Sequence, residues 1–314
     1  MTISTNSTVS KSYVGSRAIE NIDNIDQCSY EKESWGNILS MPILWAITIW
    51  VAVKKKFYSL LKLPTPRINS IWFDGFGSSP RIVKEGNASW RALDEIYNYQ
   101  FGKDRSIFGL LSDCWEKMIN CKALRNRLKL IKREVKRAIM RFSDSGEVRL
   151  VSLAAGSAQG IIEIMAELKK EGIKVRALLV DIDPSALAYA KELATRYGVN
   201  EQIETILDSV LRARKRVESF KPQVVEMLGY LDYCSKNIAI KLIKGFGEAM
   251  SEGIFLTCNI QNNFERRFLK YVVNWDMIYR APADLIEIIE QTGFVNYQIV
   301  YEPMKIHGLI VAQK

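Results

Sequence analysis

Between Val148 and Asp183 the chain reads V-R-L-V-S-L-A-A-G-S-A-Q-G, an amphipathic stretch, and then V-R-A-L-L-V-D-I-D. Gly156 and Gly160, with Ser157 between them, free the backbone to approach a bound group. Asp181, followed by Ile182, ends an aliphatic run, where a carboxylate can accept both hydroxyl protons of a ribose. The chemistry this set supports is the binding of a nucleotide-type cofactor. The elements that must hold it can be read from the pattern. Val148–Leu153 predicts a strand, Ile161, Ile164, Met165 and Leu168 recur at helical spacing, and the run ending at Asp181 predicts a second strand.

The 25 residues from Gly156 to Asp181 suit either a dinucleotide fold or an S-adenosylmethionine (SAM) fold. A pyrophosphate turn needs G-x-G-x-x-G at a helix N-terminus, whereas this turn is Gly156-x-Ala158-x-Gly160. It resembles motif I of class I SAM-dependent methyltransferases, acid-x-G-x-G-x-G, with Ala154 in the acidic position and Ala158 replacing the middle glycine. The downstream segments resemble that family in their order too. Asp183-Pro184-Ser185 precedes a helix over 186–197, with Asp183 or Ser185 able to cap it and Asp183 read as a cap rather than a ligand. Ile203–Leu207 reads as a third strand closed by Asp208 and Ser209, which the resemblance sets against the adenine. Residues 222–229 look like the fourth strand and its exit, facing the transferable methyl, with Glu226 either functional there or simply a polar strand terminus. The resemblance implies SAM as cofactor, with residues 156–160 around its methionine portion. It also implies an α/β, Rossmann-like sandwich with a seven-stranded sheet over residues 143–314. Ala154 leaves the cofactor's amino end to backbone carbonyls, Glu226 or water.

Residues 226–233, 257–260 and 275–280 are similar to bacterial methyltransferases that make methyl esters of 3-hydroxy fatty acids. A carboxylate acceptor needs no general base, and Arg280 would fix it bidentately. Tyr230, Tyr233, Trp275 and Tyr279 then form a water-poor wall, unless Trp275 and Tyr279, at i and i+4, are the core stripe of a helix. An amine or hydroxyl acceptor would need Asp232 or Glu226 as base, because the one histidine, His307, lies on a terminal strand pattern and reads as structural. No acid-Pro-Pro-aromatic sequence comes after the fourth strand, which argues against nucleic-acid bases as acceptors. The five cysteines form no C-x-x-C pair, so no metal site or disulfide framework is expected, and a cytoplasmic setting fits.

Charge is divided unevenly. Residues 1–141 hold 23 of the 44 Lys and Arg but only 13 of the 35 Asp and Glu. Nine of those cations lie in 122–141 against one acid, on a helix with an apolar stripe. That helix is either a solvated face or a surface for anionic lipid, an acidic partner or nucleic acid, and the Trp-containing run 43–53 favours lipid over nucleic acid. The run 43–53, apolar except Thr48 and carrying Trp45 and Trp50, begins after Pro42 and meets Lys54-Lys55-Lys56. It is too short to span a bilayer, and reads either as a lid or core helix or as an interfacial contact through 43–58 at the inner membrane. The first 35 residues are polar and expected to be disordered, without a signal peptide. Residues 36–142 are expected to form a helical cap that sets substrate choice.

The reading is SAM-dependent methyl transfer to a small or lipid-like acceptor, at oxygen. The alternatives are a small-molecule N-methyltransferase, a nicotinamide-dependent oxidoreductase, an aminopropyltransferase, or a membrane- or partner-binding module with a degenerate SAM site.

Overall fold

The computed structural model describes residues 18–21, 30–66, 69–75, 77–294 and 296–314. Its centre is a mixed sheet of β2 (Val148–Leu153), β3 (Val175–Asp181), β4 (Ile203–Leu207), β5 (Val224–Met227), β6 (Ile254–Ile260), β7 (Asn296–Tyr301) and β8 (His307–Gln313). The order is β7-β8-β6-β5-β2-β3-β4, with β8 antiparallel to both neighbours. These are the seven strands the resemblance implied. An eighth, β1 (Ala18–Asn21), pairs in parallel with the outer edge of β7, Ala18 opposite Gln298. This corrects the expectation of disorder at 18–21, while 1–17 and 22–29 lie outside the described residues.

Leu150, Val151 and Leu153 are fully buried because β2 is covered on both faces, which parallel strands require. One face carries α5 (Ile119–Met140), α6 (Gln159–Lys170) and α7 (Pro184–Arg196). The other carries α8 (Arg214–Phe220), α9 (Lys236–Ala249) and α11 (Pro282–Glu290), numbered with α10 (Arg266–Phe268) between the last two. The chain leaves β2 towards β3 and β4, then crosses back to β5, so strand order reverses beside β2. Ligands of open α/β sheets sit in the crevice at the carboxyl ends of such strands.

The cap consists of α1 (Trp35–Leu60), α2 (Ser78–Glu85), α3 (Trp90–Asn98), α4 (Ile107–Glu116) and α5. It is not an independent core. Leu44, Val51, Phe73, Ile96 and Leu124 share one cluster with Phe268, Leu269, Val272 and Trp275 from the segment after β6. The helix expected to begin after Pro42, at Ile43, starts eight residues earlier, at Trp35, and runs for 26 residues. Pro42 and Ile38 are both exposed, so the helix hydrogen bond that the proline removes lies on the solvent side of α1. By length and composition α1 is long and apolar enough to cross a membrane.

The basic run is also corrected. Lys122, Arg125 and Arg127 are buried in α5. Lys122 donates to Asn37 at 2.8 Å, and Arg125 pairs with Glu31 and Glu116. Lys132 pairs with Glu163 at 2.9 Å and Lys136 with Glu171 at 2.6 Å, the first acid on α6 and the second just past its end. The charge that suggested a free anionic-surface contact through 122–141 is largely spent inside the fold.

Helix α5 has no side-chain cap of its own. Glu265, 1% exposed, accepts from the backbone N–H groups of Ile119 and Asn120, both at 2.9 Å, and from Asn120 Nδ2 at 2.6 Å. A carboxylate at a helix N-terminus satisfies orphan donors and complements the dipole. Glu265→Ala would strand these buried donors, so urea denaturation should show a loss of about 3 kcal/mol. A loss under about 0.5 kcal/mol would remove Glu265 as the cap.

Candidate active site

At the end of β2 three alternate residues adopt left-handed backbone: Ala154 (φ 52°), Gly156 (φ 55°) and Ala158 (φ 49°). Alternating handedness turns successive N–H groups into one concavity. A Cβ on Gly156 would stand 3.3 Å from Trp90 Cβ, which gives glycine a second reason to be there. The Gly156 N–H donates to Asp181 Oδ2 and the Asp183 N–H to Asp181 Oδ1, each at 2.8 Å. Asp181 thereby ties the turn to the end of β3 while its remaining lone pairs stay available. Asp183 caps α7 as expected, accepting from the Ser185 N–H at 2.8 Å.

The cap closes over this turn. Trp90, at the start of α3, donates from Nε1 to Asp183 Oδ2 and Ser185 Oγ, both at 3.2 Å. Its ring stacks on Tyr189 at 4.7 Å, and the Arg91 guanidinium lies 4.8 Å from the Trp90 ring centre. Sequence reading did not single out Trp90. The only hint was its place after Ser89, a helix-capping residue.

One cavity of about 470 Å³ joins the turn to the cap. Its wall includes Ala154, Gly156, Ser157, Gly160, Asp181, Ile182, Glu226, Tyr230 and Asp232, which the structure therefore brings together. Trp275 and Tyr233 also face it, joined by a 2.6 Å hydrogen bond from Trp275 Nε1. Glu226 is 4% exposed, and burial pushes it up to about 7 against the pull of Ser152 and the Leu228 N–H. Asp232 is raised by burial to about 6, opposed by the Ile260 N–H, Arg127 and Arg280.

Two further polar residues of the wall were not placed in the site by sequence reading. Arg127, from the middle of the basic helix α5, is 5% exposed and donates to Tyr97 OH at 2.7 Å, while its Nε has no partner among the described residues. Burial opposes its charge, but Tyr97, Cys258 and Asp232 overcome that and hold it as a cation. His307 is 2% exposed with neither ring nitrogen partnered among the described residues. Burial, then Arg127, lowers its pKa well below the ordinary range, so the imidazole is neutral. A neutral buried histidine beside a cation can accept a proton or donate one hydrogen bond.

Residues 81–314 match the family described as "Putative methyltransferase". The chain belongs to that methyltransferase family. Its fold is similar to that of a protein from Bordetella parapertussis described as a possible exported protein, at 13% identity over 86% of this chain and 96% of the other, TM-score 0.64. It is also similar to magnesium protoporphyrin IX methyltransferase from Synechocystis with bound SAH, at 13% identity over 78% and 98%, TM-score 0.50. No curated protein matches the chain by sequence.

Three residues expected in the site of this methyltransferase lie elsewhere. Arg280 is buried, but it donates to the carbonyls of Leu231, at 2.7 Å, and Cys234 and to Asn259 Oδ1, so it braces the loop after β5 and has no guanidinium edge for a substrate. Asp208 and Ser209 fall outside the cavity wall. Asp208 accepts from Arg212 Nε at 2.8 Å and from the Ser209 N–H at 2.7 Å. Trp275 and Tyr279 are not a helical stripe either, because Asn274, at φ 63°, ends the helical turns and 274–281 runs irregularly.

Glu226 makes a test possible without any ligand. Its folded pKa of about 7 lies above its unfolded value, so stability is greatest in acid and is lost as pH rises through about 7. Glu226→Gln should be more stable than the wild type at pH 8, by on the order of 2 kcal/mol, and the gap should close towards pH 5. Thermal melts across that range check it, and a gap that widens in acid would reverse the assignment.

Proposed function

We propose that this protein transfers a methyl group from SAM to an oxygen atom of an apolar, small or lipid-like acceptor. One observation supports this above all. A single cavity wall holds both the turn 154–160 with Asp181 and, without partners among the described residues, Arg127 Nε and the two ring nitrogens of His307.

The residues present suit SAM. Asp181 offers lone pairs to ribose hydroxyls beyond its two backbone donors, the concave turn 154–160 suits the methionine portion, and Glu226 is a buried carboxylate for the cationic groups. Bound there, SAM supplies an electrophilic methyl carbon on a sulfonium. Methyl transfer of this kind is an in-line displacement, in which positioning and exclusion of water are what the protein contributes.

Arg127 takes the part first expected of Arg280. Its Nε–H, without a partner among the described residues, and its charge can hold a carboxylate or a developing oxyanion in a largely buried wall. A carboxylate acceptor then needs no proton removed, and the product is a methyl ester. With a hydroxyl acceptor, a ring nitrogen of neutral His307 is positioned in the wall to take the proton as the oxygen–methyl bond forms, against the burial and the Arg127 charge that lower its basicity. Phe73, Trp115, Leu124, Leu269 and Trp275 make the rest of the acceptor wall hydrophobic, which suits an acyl or aromatic body. The resemblance of 226–233, 257–260 and 275–280 to enzymes esterifying 3-hydroxy fatty acids points to the same class.

Calorimetry should show S-adenosylhomocysteine binding, weakened by about tenfold or more in Asp181→Ala. Absence of binding in the wild type would end the proposal. In cell-extract fractions, mass spectrometry should find an apolar product heavier by one methylene. Arg127→Met should lower its formation by about 10²-fold or more while leaving S-adenosylhomocysteine affinity intact. His307→Gln separates the acceptors: a similar fall means a hydroxyl, little change means a carboxylate.

A further inference from the structure

Helix α1 is amphipathic in the inverted sense. Its buried positions are Asn37, Leu44, Thr48 and Val51, two of them polar. Asn37 spends its side chain on the Lys117 carbonyl and Lys122, and Thr48 donates to the Leu44 carbonyl. Ile38, Ile43, Trp45, Ile49, Trp50 and Val53 are exposed instead. At about 100° per residue these fall within one half of the helix circumference. The face is therefore a continuous apolar strip along a helix of about 39 Å, at 1.5 Å per residue. Strips of that size on a protein surface mark contact sites.

We propose that α1 lies flat in the headgroup region of an anionic lipid bilayer, with this strip inserted. Charge complementarity supports lipid as the occupant. Residues 34–73 contain no Asp or Glu and five Lys or Arg, with Lys56 exposed on the same side as the strip. Trp45 and Trp50, 54% and 68% exposed, are the side chains that favour an interface with one apolar and one wet side. The helix meets the length for a crossing, yet the fold forbids one. Leu44 and Val51 are sealed in the cap core against Phe268, Leu269 and Val272, so the middle of α1 cannot enter hydrocarbon without uncovering that core. Leu269, Val273 and Trp275 of the same segment also line the cavity, which places a docked bilayer one helical layer from the acceptor wall.

The test uses the full chain without SAM or acceptor, so it fails or succeeds apart from methyl transfer. In cosedimentation, wild-type protein should pellet with phosphatidylcholine/phosphatidylglycerol vesicles, and less with phosphatidylcholine alone. The triple substitution Trp45→Ser, Ile49→Ser, Trp50→Ser should lower partitioning by about tenfold or more with its melting temperature unchanged. Three results would overturn the proposal: wild type remaining in the supernatant with both vesicles, the variant pelleting like wild type, or light scattering showing a lipid-independent dimer that the substitutions convert to monomer. If the triple variant is unstable, Trp50→Ser alone, on the exposed face, carries the same comparison.

Discussion

The carboxylate of Glu265 at the N-terminus of α5 is the constraint on which the rest of the structure depends. It joins residues 145 positions apart, fixing the start of the helix that supplies Arg127 to the cavity. Farther along, the same helix meets the sheet through Leu130, Val135 and Ile139, and meets α6 and its exit through Lys132 and Lys136. Cap and sheet are thus two ends of one rigid element. The cavity between them has a shape because α5 cannot rotate or slide without breaking a buried cap at one end and ion pairs at the other.

The cavity wall works by leaving a few polar atoms without partners in an apolar setting. Buried polar groups usually find partners within the protein. Among the described residues Arg127 Nε and both nitrogens of His307 do not, and Glu226 sits where burial resists its charge. Two alanines held at left-handed φ beside them add backbone strain of the kind that collects at functional sites. Each of these features costs stability in the free protein and gains something only when a complementary group arrives.

The sheet was legible in the sequence because its signals are local: β-branched runs, helical spacing, a glycine turn and an acid at a strand end. The candidate site was legible where it shares those signals, from Ala154 to Ile182 and at Glu226, and through the family resemblance at Tyr230, Asp232, Tyr233 and Trp275. Arg127 was hidden because it is one cation among nine in a basic run, and burial of one member of a run leaves no mark on spacing. His307 was read as structural because a lone histidine on a strand has no sequence partner; the cavity beside it comes from helices far away in the chain. Arg280 misled for the converse reason, since the carbonyls that occupy it belong to residues 46 and 49 positions earlier. The acids that pair with Lys132 and Lys136 stand on and just after the next helix, beyond residue 141, so the charge imbalance of the N-terminal half overstated what the surface shows.

The eighth strand has a consequence for the order in which the molecule assembles. Ala18 faces Gln298, a separation whose closure in an open chain would cost about 5 kcal/mol of chain entropy. Once Glu31 is held by Arg125 and Asn126, only the short stretch between Asn21 and Tyr30 remains to be closed, at less than half that cost. Pairing of β1 is therefore entropically cheaper once the cap has docked. Until β1 pairs, the outer edge of β7 is open to pairing with other chains, and a seated cap favours its coverage.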